Sequence, residues 1–272
     1  MGLRRMPHQI VSILLLTFVG WLAGQKSSAA EKEKSPPQIL SVAAASDLKF
    51  ALDEIVLGFQ KTYPDTQVQV SYGSSGSFYS QLSQRAPFDM FFSADVAYPT
   101  KLIEAGLGVA DSKFSYAVGR IVVWVPIHSP IDPVKLEIES LKQPSVRKIA
   151  IANPEHAPYG KAAVAAMQKL GVYDAVKTRL VYGENIAQTA QFVDSGSADI
   201  GIIALSLAVA PVMKDKGRYW EVPLDAHPRL EQGGVILPWA RNRGGARKLR
   251  AFVLSDAGKA VLRRYGFFMP NE

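Results

Sequence analysis

Val42-Ala43-Ala44-Ala45-Ser46-Asp47-Leu48, taken together with Tyr72-Gly73-Ser74-Ser75-Gly76-Ser77, decides how this chain folds. Each stretch is the end of a short apolar strand that runs through small residues and a serine into a helical pattern. That geometry aims a hydroxyl and the unpaired amides of a helix start at one point in space. A helix N-terminus carries free N–H groups and about half a positive charge, so it is a ready anion site. Two such sites, with no lysine or arginine beside either serine, point to a fully ionised oxyanion as the ligand.

Outward from these serines the chain alternates strand and helix. Ile39 to Ala45 is a short apolar run of the kind a buried parallel strand shows. Ser46 is placed to cap the helix that follows. Leu48, Leu52, Ile55 and Phe59 give that helix one buried face, and Tyr63-Pro64-Asp65 ends it. Val68, Val70 and Tyr72 alternate as a second strand, Phe78 and Leu82 mark a second helix, and Phe88 to Ser93 forms a third strand. A third helix carries Leu102 and Ile103 and stops at Gly106. This βαβαβα order predicts a parallel sheet with helices on both faces, whose ligands bind at the carboxyl ends of the strands. Ser46, Ser75 and Ser93 all fall at those ends.

Gly119 to Pro126 reads as a long strand crossing into a second lobe. Lys148 to Ala152 is that lobe's own strand, followed by a loop from Asn153 to Gly160 and a helix from Lys161 to Leu170. Leu180 to Tyr182, the turn Gly183 to Asn185 and a helix from Ile186 to Ser195 repeat the pattern. Asp199 to Leu205 is another buried strand, and Val235 to Trp239 reads as the return crossing. Helices at Arg247 to Ser255 and Gly258 to Tyr265 close the chain on the first lobe. The expected division is residues 39–120 with 225–272 as one lobe and 121–224 as the other.

The N-terminus reads differently. Arg4 and Arg5 precede an apolar core from Ile10 to about Ala23, followed by Ser27, Ser28, Ala29 and Ala30. Residues 1–30 are therefore expected to be a cleaved signal peptide rather than an anchor. Cleavage there would remove three cations and no acids, taking the formal charge from +7 to +4. The chain has no cysteine, which excludes disulfides and a lipid-bearing signal-peptide cysteine. About 240 residues remain, enough to bury a core without crosslinks. The densest basic cluster, Arg241, Arg243, Arg247, Lys248 and Arg250, lacks the interleaved aromatics of a nucleic-acid surface and reads as a solvated helix face.

An enzyme needs a positioned acid, base or nucleophile. His8, His128, His156 and His227 sit on unrelated segments without helix-spaced partners, so no zinc site is expected. Gly73-Ser74-Ser75-Gly76 is not a nucleophile elbow, because its glycines are one residue too close. Pro158-Tyr159-Gly160-Lys161 is not a phosphate loop, because Ala162 stands where a hydroxyl would be needed. No catalytic residue, metal-cation site or cofactor is expected. What remains is hydrogen-bond donation from Ser46 and Ser75, against the alternative that each is an ordinary helix cap.

At these residues the chain resembles the periplasmic molybdate-binding proteins of ABC importers, over nearly the whole of Ile39 to Phe268. The resemblance is carried by Ala43-Ala44-Ala45-Ser46, Tyr72 to Ser77, Ala86 to Asp95, Asn153-Pro154-Glu155-His156-Ala157-Pro158-Tyr159-Gly160, Glu184-Asn185-Ile186, Gly196 to Gly201 and Arg264-Tyr265-Gly266-Phe267. It implies a two-lobed α/β periplasmic-binding-protein fold. Each lobe would be a mainly parallel sheet flanked by helices, and the ligand cleft would lie between the lobes. It implies Ser46 and Ser75 as ligand-binding serines, and Tyr159 and Ile186 as donors of backbone amides from the second lobe. Some members add a tyrosine hydroxyl where this chain has Ala204, so that bond is absent or replaced. Asp47 stands where many members have leucine, an acid either turned outward or weakening the anion site. The implied role is capture of molybdate, and of tungstate, by a monomeric periplasmic protein that delivers it to a membrane permease and binds no nucleic acid. The alternatives are a binder of sulfate, phosphate or chromate, and a secreted serine hydrolase using Ser46 or Ser75 with His156 as its base.

Overall fold

The computed structural model describes residues 37–272; the expected signal peptide, residues 1–30, lies outside them. The first lobe opens with β1 (Gln38–Ala45), α1 (Lys49–Thr62), β2 (Thr66–Gly73), α2 (Ser75–Ser83), β3 (Met90–Ser93), α3 (Ala97–Glu104) and β4 (Phe114–Gly119). The chain then forms β5 (Ile121–Pro126), α4 (Pro133–Leu136), β6 (Ile149–Ala152), α5 (Pro158–Lys169), α6 (Tyr173–Val176), β7 (Leu180–Gly183), α7 (Ile186–Asp194), β8 (Ile200–Ala204), α8 (Leu205–Ala208) and β9 (Gly217–Glu221). It returns as β10 (Leu230–Ile236), α9 (Arg243–Leu254) and α10 (Asp256–Arg264).

These strands make two five-stranded sheets of matching design, β2-β1-β3-β10-β4 and β7-β6-β8-β5-β9. In the first, β1 runs parallel to β2 and β3, and β10 runs antiparallel to both its neighbours. In the second, β6 runs parallel to β7 and β8, and β5 is the antiparallel strand. The reversed strand in each sheet is the one that arrives from the other lobe. β1 is buried from Val42 onward because it is flanked on both sides, whereas the edge strand β2 alternates exposed and half-buried residues after Thr66. Leu52 and Phe59 of α1, Leu249 and Val253 of α9 and Leu262 of α10 cover one face of the first sheet. Phe78 and Leu82 of α2 and Leu102 of α3 cover the other. A single core around β5, β6 and β8 fills the second lobe.

The structure corrects two crossings. The stretch read as one strand from Gly119 to Pro126 breaks at Arg120, so β4 and β5 belong to different sheets. The return does not run at Val235 to Trp239; it occupies residues 222–229, and Val235 lies inside β10. β10 was hard to see because Gly233 and Gly234 interrupt its apolar pattern. They do so for a reason: a Cβ on Gly234 would lie 2.5 Å from the Phe114 ring, and one on Gly233 2.8 Å from the Val96 side chain.

Candidate functional site

In the parallel register of β1 and β2, Ala45 stands beside Gly73. The two strands therefore release Ser46 and Ser74 at the same level of the sheet edge. Ser46 begins a short 3-10 turn, Ser46–Leu48, that leads into α1, and neither this turn nor α1 has a side-chain cap. The expected capping role of Ser46 is thus not found. Its hydroxyl instead donates to Asn185 Oδ1 of the other lobe at 3.1 Å and accepts from the Ala187 amide at 3.3 Å.

α2 is capped by Ser74, whose Oγ accepts from the Ser77 amide at 3.2 Å. Ser75, at the first helical position, is released from capping. Its Oγ accepts the Ala94 amide at 2.9 Å inside a fully buried setting. One lone pair is thereby used and the hydroxyl proton is left to donate. The Gly76 amide crosses to the second lobe and donates to His156 O at 2.9 Å. Only glycine fits there, because a Cβ would lie 2.5 Å from that same carbonyl oxygen.

The second lobe contributes two helix starts. α5 begins at Pro158 without a side-chain cap, which puts Tyr159 at the second position, where an amide has no intrahelical partner. The helix starts three residues before the expected Lys161, and so takes in Tyr159. α7 is capped by Asn185, whose Oδ1 accepts from the Ala187 and Gln188 amides at 3.0 and 3.1 Å. That cap leaves the Ile186 amide at the first position without an intrahelical acceptor.

Ser46, Ser75, Tyr159 and Ile186 all line one small cavity between the lobes, together with Asp47, Gly73, Ser74 and Ala94. The cavity measures about 10 Å³, room for roughly one water. A tetrahedral oxyanion is larger than this, so seating one there would need the lining to give. No lysine or arginine lines it. The arrangement offers hydroxyls and helix-start amides from four chain segments, which suits a compact anion and offers no nucleophile with a base. The His156 ring turns to Glu184, with Nε2 3.0 Å from its carbonyl and 3.4 Å from its carboxylate. No histidine ring is hydrogen-bonded to Ser46 or Ser75 among the described residues. Ser93 bonds back to Asp95 at the end of β3 and does not line the cavity. Ala204 is buried at the end of β8 and lies outside the lining as well.

Asp47 is neither exposed nor turned outward; about 1% of its surface is accessible. Its Oδ2 accepts from the Tyr159 hydroxyl at 2.9 Å and from Gln232 Nε2 at 2.6 Å, and Gln232 Nε2 also reaches the Tyr159 oxygen at 3.1 Å. Ser206 Oγ donates to the Asp47 carbonyl at 2.7 Å. Burial pushes the Asp47 carboxyl up to about 6, and the hydrogen bonds from Gln232 and Tyr159 oppose that rise. Burial and the nearby Asp47 charge hold the Tyr159 phenol well above its usual range. Gly119 makes room for this cluster, since a Cβ there would lie 2.2 Å from the Tyr159 oxygen.

Sequence reasoning gave no role to Asn185, Gln232 or the Gly76–His156 contact. Asn185 carried a readable signal, an asparagine directly before a helix. Gln232 carried none, because its burial depends on which strands β10 lies between.

Residues 40–268 match the family model described as bacterial extracellular solute-binding protein. The chain is 36% identical over 201 residues to the molybdate-binding protein ModA of Rhodobacter capsulatus, covering 74% of this chain and 77% of that one. It is 36% identical over 230 residues to the molybdate-binding protein ModA of Azotobacter vinelandii, covering 84% and 89%. Among solved structures, the Azotobacter vinelandii periplasmic molybdate-binding protein superposes with a TM-score of 0.79 at 30% identity, covering 85% of this chain and 99% of that one.

Proposed function

The chain belongs to the bacterial extracellular solute-binding protein family, and we propose that it captures molybdate, and tungstate with it, in the periplasm and delivers the anion to the permease of an ABC importer. The observation that supports this reading is the convergence of Ser46, Ser75 and the helix-start amides of Tyr159 and Ile186 on one cavity without a cationic side chain. Burying an ion is very costly unless fixed donors replace its hydration. Here the donors come from both lobes, so the full set is assembled only on closure. The monomer suffices for this site, since every donor lies in one chain. Likeness to named molybdate-binding relatives over most of the chain selects the anion.

Calorimetric titration of the mature protein with molybdate, tungstate, sulfate and phosphate tests it. Molybdate and tungstate should bind, and they should raise the thermal midpoint in proportion to the logarithm of their concentration. Binding of sulfate or phosphate as tight as that of molybdate would overturn the assignment.

A further inference from the structure

The cavity of donors holds one acid. Asp47 directly follows Ser46 in the lining, bonds Tyr159 of the other lobe and is almost wholly buried. Both side-chain donors that reach its carboxyl go to Oδ2, and the Asp47 and Leu48 backbone amides lie near it, while Oδ1 is buried with no well-formed hydrogen bond among the described residues. The groups facing it are Tyr159 from α5, Gln232 from β10, Ser206 from α8 and, at longer range, Tyr116 from β4. None of these carries a charge at neutral pH, so an ionised Asp47 has no counter-ion and is eased only by neutral hydrogen-bond donors. A doubly charged oxyanion seated against Ser46 would bring two more negative charges beside it. Like charges in a desolvated site cannot all stay ionised, and the least costly relief is a proton.

We propose that a tetrahedral oxyanion occupies this cleft together with one proton, held between the Asp47 carboxyl and the anion, so that Asp47 sets the protonation state the cleft accepts. The inference rests on the molybdate reading and deepens it. With a fully ionised anion the proton comes from solvent, and Oδ1, the oxygen without a partner, is where it goes; the neutral acid then joins the donors. With a hydrogen oxyanion the same proton arrives on the ligand and Asp47 accepts it. Both routes end with the same atoms in the same place. An aspartate here therefore admits protonated tetrahedral oxyanions that an all-donor cavity would reject for want of an acceptor. The raised ionisation range of Asp47 already shows how little burial favours its charged form.

Molybdate is titrated calorimetrically at pH 8 in two buffers of different ionisation enthalpy, and the difference in heat counts the protons taken up. The expected count is close to one for the native protein and close to zero for Asp47→Asn. Affinity of the native protein should fall about tenfold from pH 7 to pH 8, and that of Asp47→Asn should stay level. Tight binding by the native protein without proton uptake overturns the proposal whether or not the variant folds. So does an undiminished proton count in folded Asp47→Asn. Absence of any molybdate binding overturns the functional reading itself, a distinct outcome in the same titration.

Discussion

At one end of the cavity the Ser75 hydroxyl is fixed by Ala94, a residue of its own lobe, and its surroundings are neutral. At the other end Ser46 and Asp47 take their partners chiefly from across the cleft: Asn185, Ala187 and Tyr159. The first end is complete before the lobes meet. The second exists in this form only when they have met, and it holds the only carboxylate in the lining. One end of the proposed site is thus a preset hydroxyl, and the other is where anion capture, as proposed, would couple to closure and to protons. Preorganised donors cost no rearrangement when charge arrives, whereas donors that already have partners must exchange them.

The largest expected effect comes from blocking the meeting itself. Gly76→Val puts a side chain onto the His156 carbonyl, 2.5 Å from where a Cβ would sit. A backbone contact cannot yield as a flexible side chain would, so affinity should fall at least about a hundredfold. The lone protein should keep its circular dichroism spectrum, because the clash is between the lobes and each lobe's own elements are untouched. Molybdate affinity within a few fold of native would show that closure does not need this contact. Next, Ser75→Ala removes a hydroxyl whose proton has no other acceptor, and hydrogen bonds to charged groups are worth about 1.5–3 kcal/mol. Affinity should fall roughly tenfold to a hundredfold. Ser46→Ala should cost less, about two- to tenfold, because its hydroxyl must first leave Asn185. Equal losses at the two serines, measured by calorimetry, would erase the contrast between the ends.

The same contrast explains what was legible in the sequence. Ser75, the β1 and β2 strands and the α7 start are local matters: a small-residue turn, an alternating pattern, an asparagine before a helix. The Asp47 cluster is not local. Its members are separated by 112 residues from Asp47 to Tyr159 and 185 from Asp47 to Gln232, and they meet only because β10 returns beside β3 and β4. The sequence placed that return too late, since Gly233 and Gly234 hide the strand. With β10 misplaced, nothing could put Gln232 behind Asp47, and the acid read as either outward or merely harmful. The two serines offered as possible caps show the reverse case. The cap of α2 is Ser74, one residue earlier, and the 3-10 turn at Ser46 has none. Neither hydroxyl caps its own helix, for a reason that only the backbone geometry reveals.

The smallest expected effect separates the Tyr159 amide from its phenol. Tyr159→Phe keeps the helix-start amide and the ring but takes one donor from Asp47 Oδ2. The sign follows from the raised Asp47 range. Burial lifts its folded-state value from 3.8 to about 6, so the folded protein carries a cost above pH 6 that is relieved as pH falls through 6 towards 4. The phenol lowers that cost only while Asp47 is ionised. Its removal should therefore destabilise the unliganded protein by about 1 kcal/mol at pH 8, a drop of roughly 2–4 °C in thermal midpoint for a chain of this size. At pH 5, where Asp47 is mostly protonated, the drop should shrink by about half or more, because a neutral acid needs the donor less. Molybdate affinity at pH 5.5 should change less than about tenfold, since the helix-start amide assigned to the anion is untouched. An equal drop in midpoint at both pH values would mean that the phenol serves packing alone. A loss of affinity at pH 5.5 as large as that of Ser75→Ala would mean that the hydroxyl, rather than the amide, meets the ligand. The Asp47 end would then be a direct donor site like its opposite.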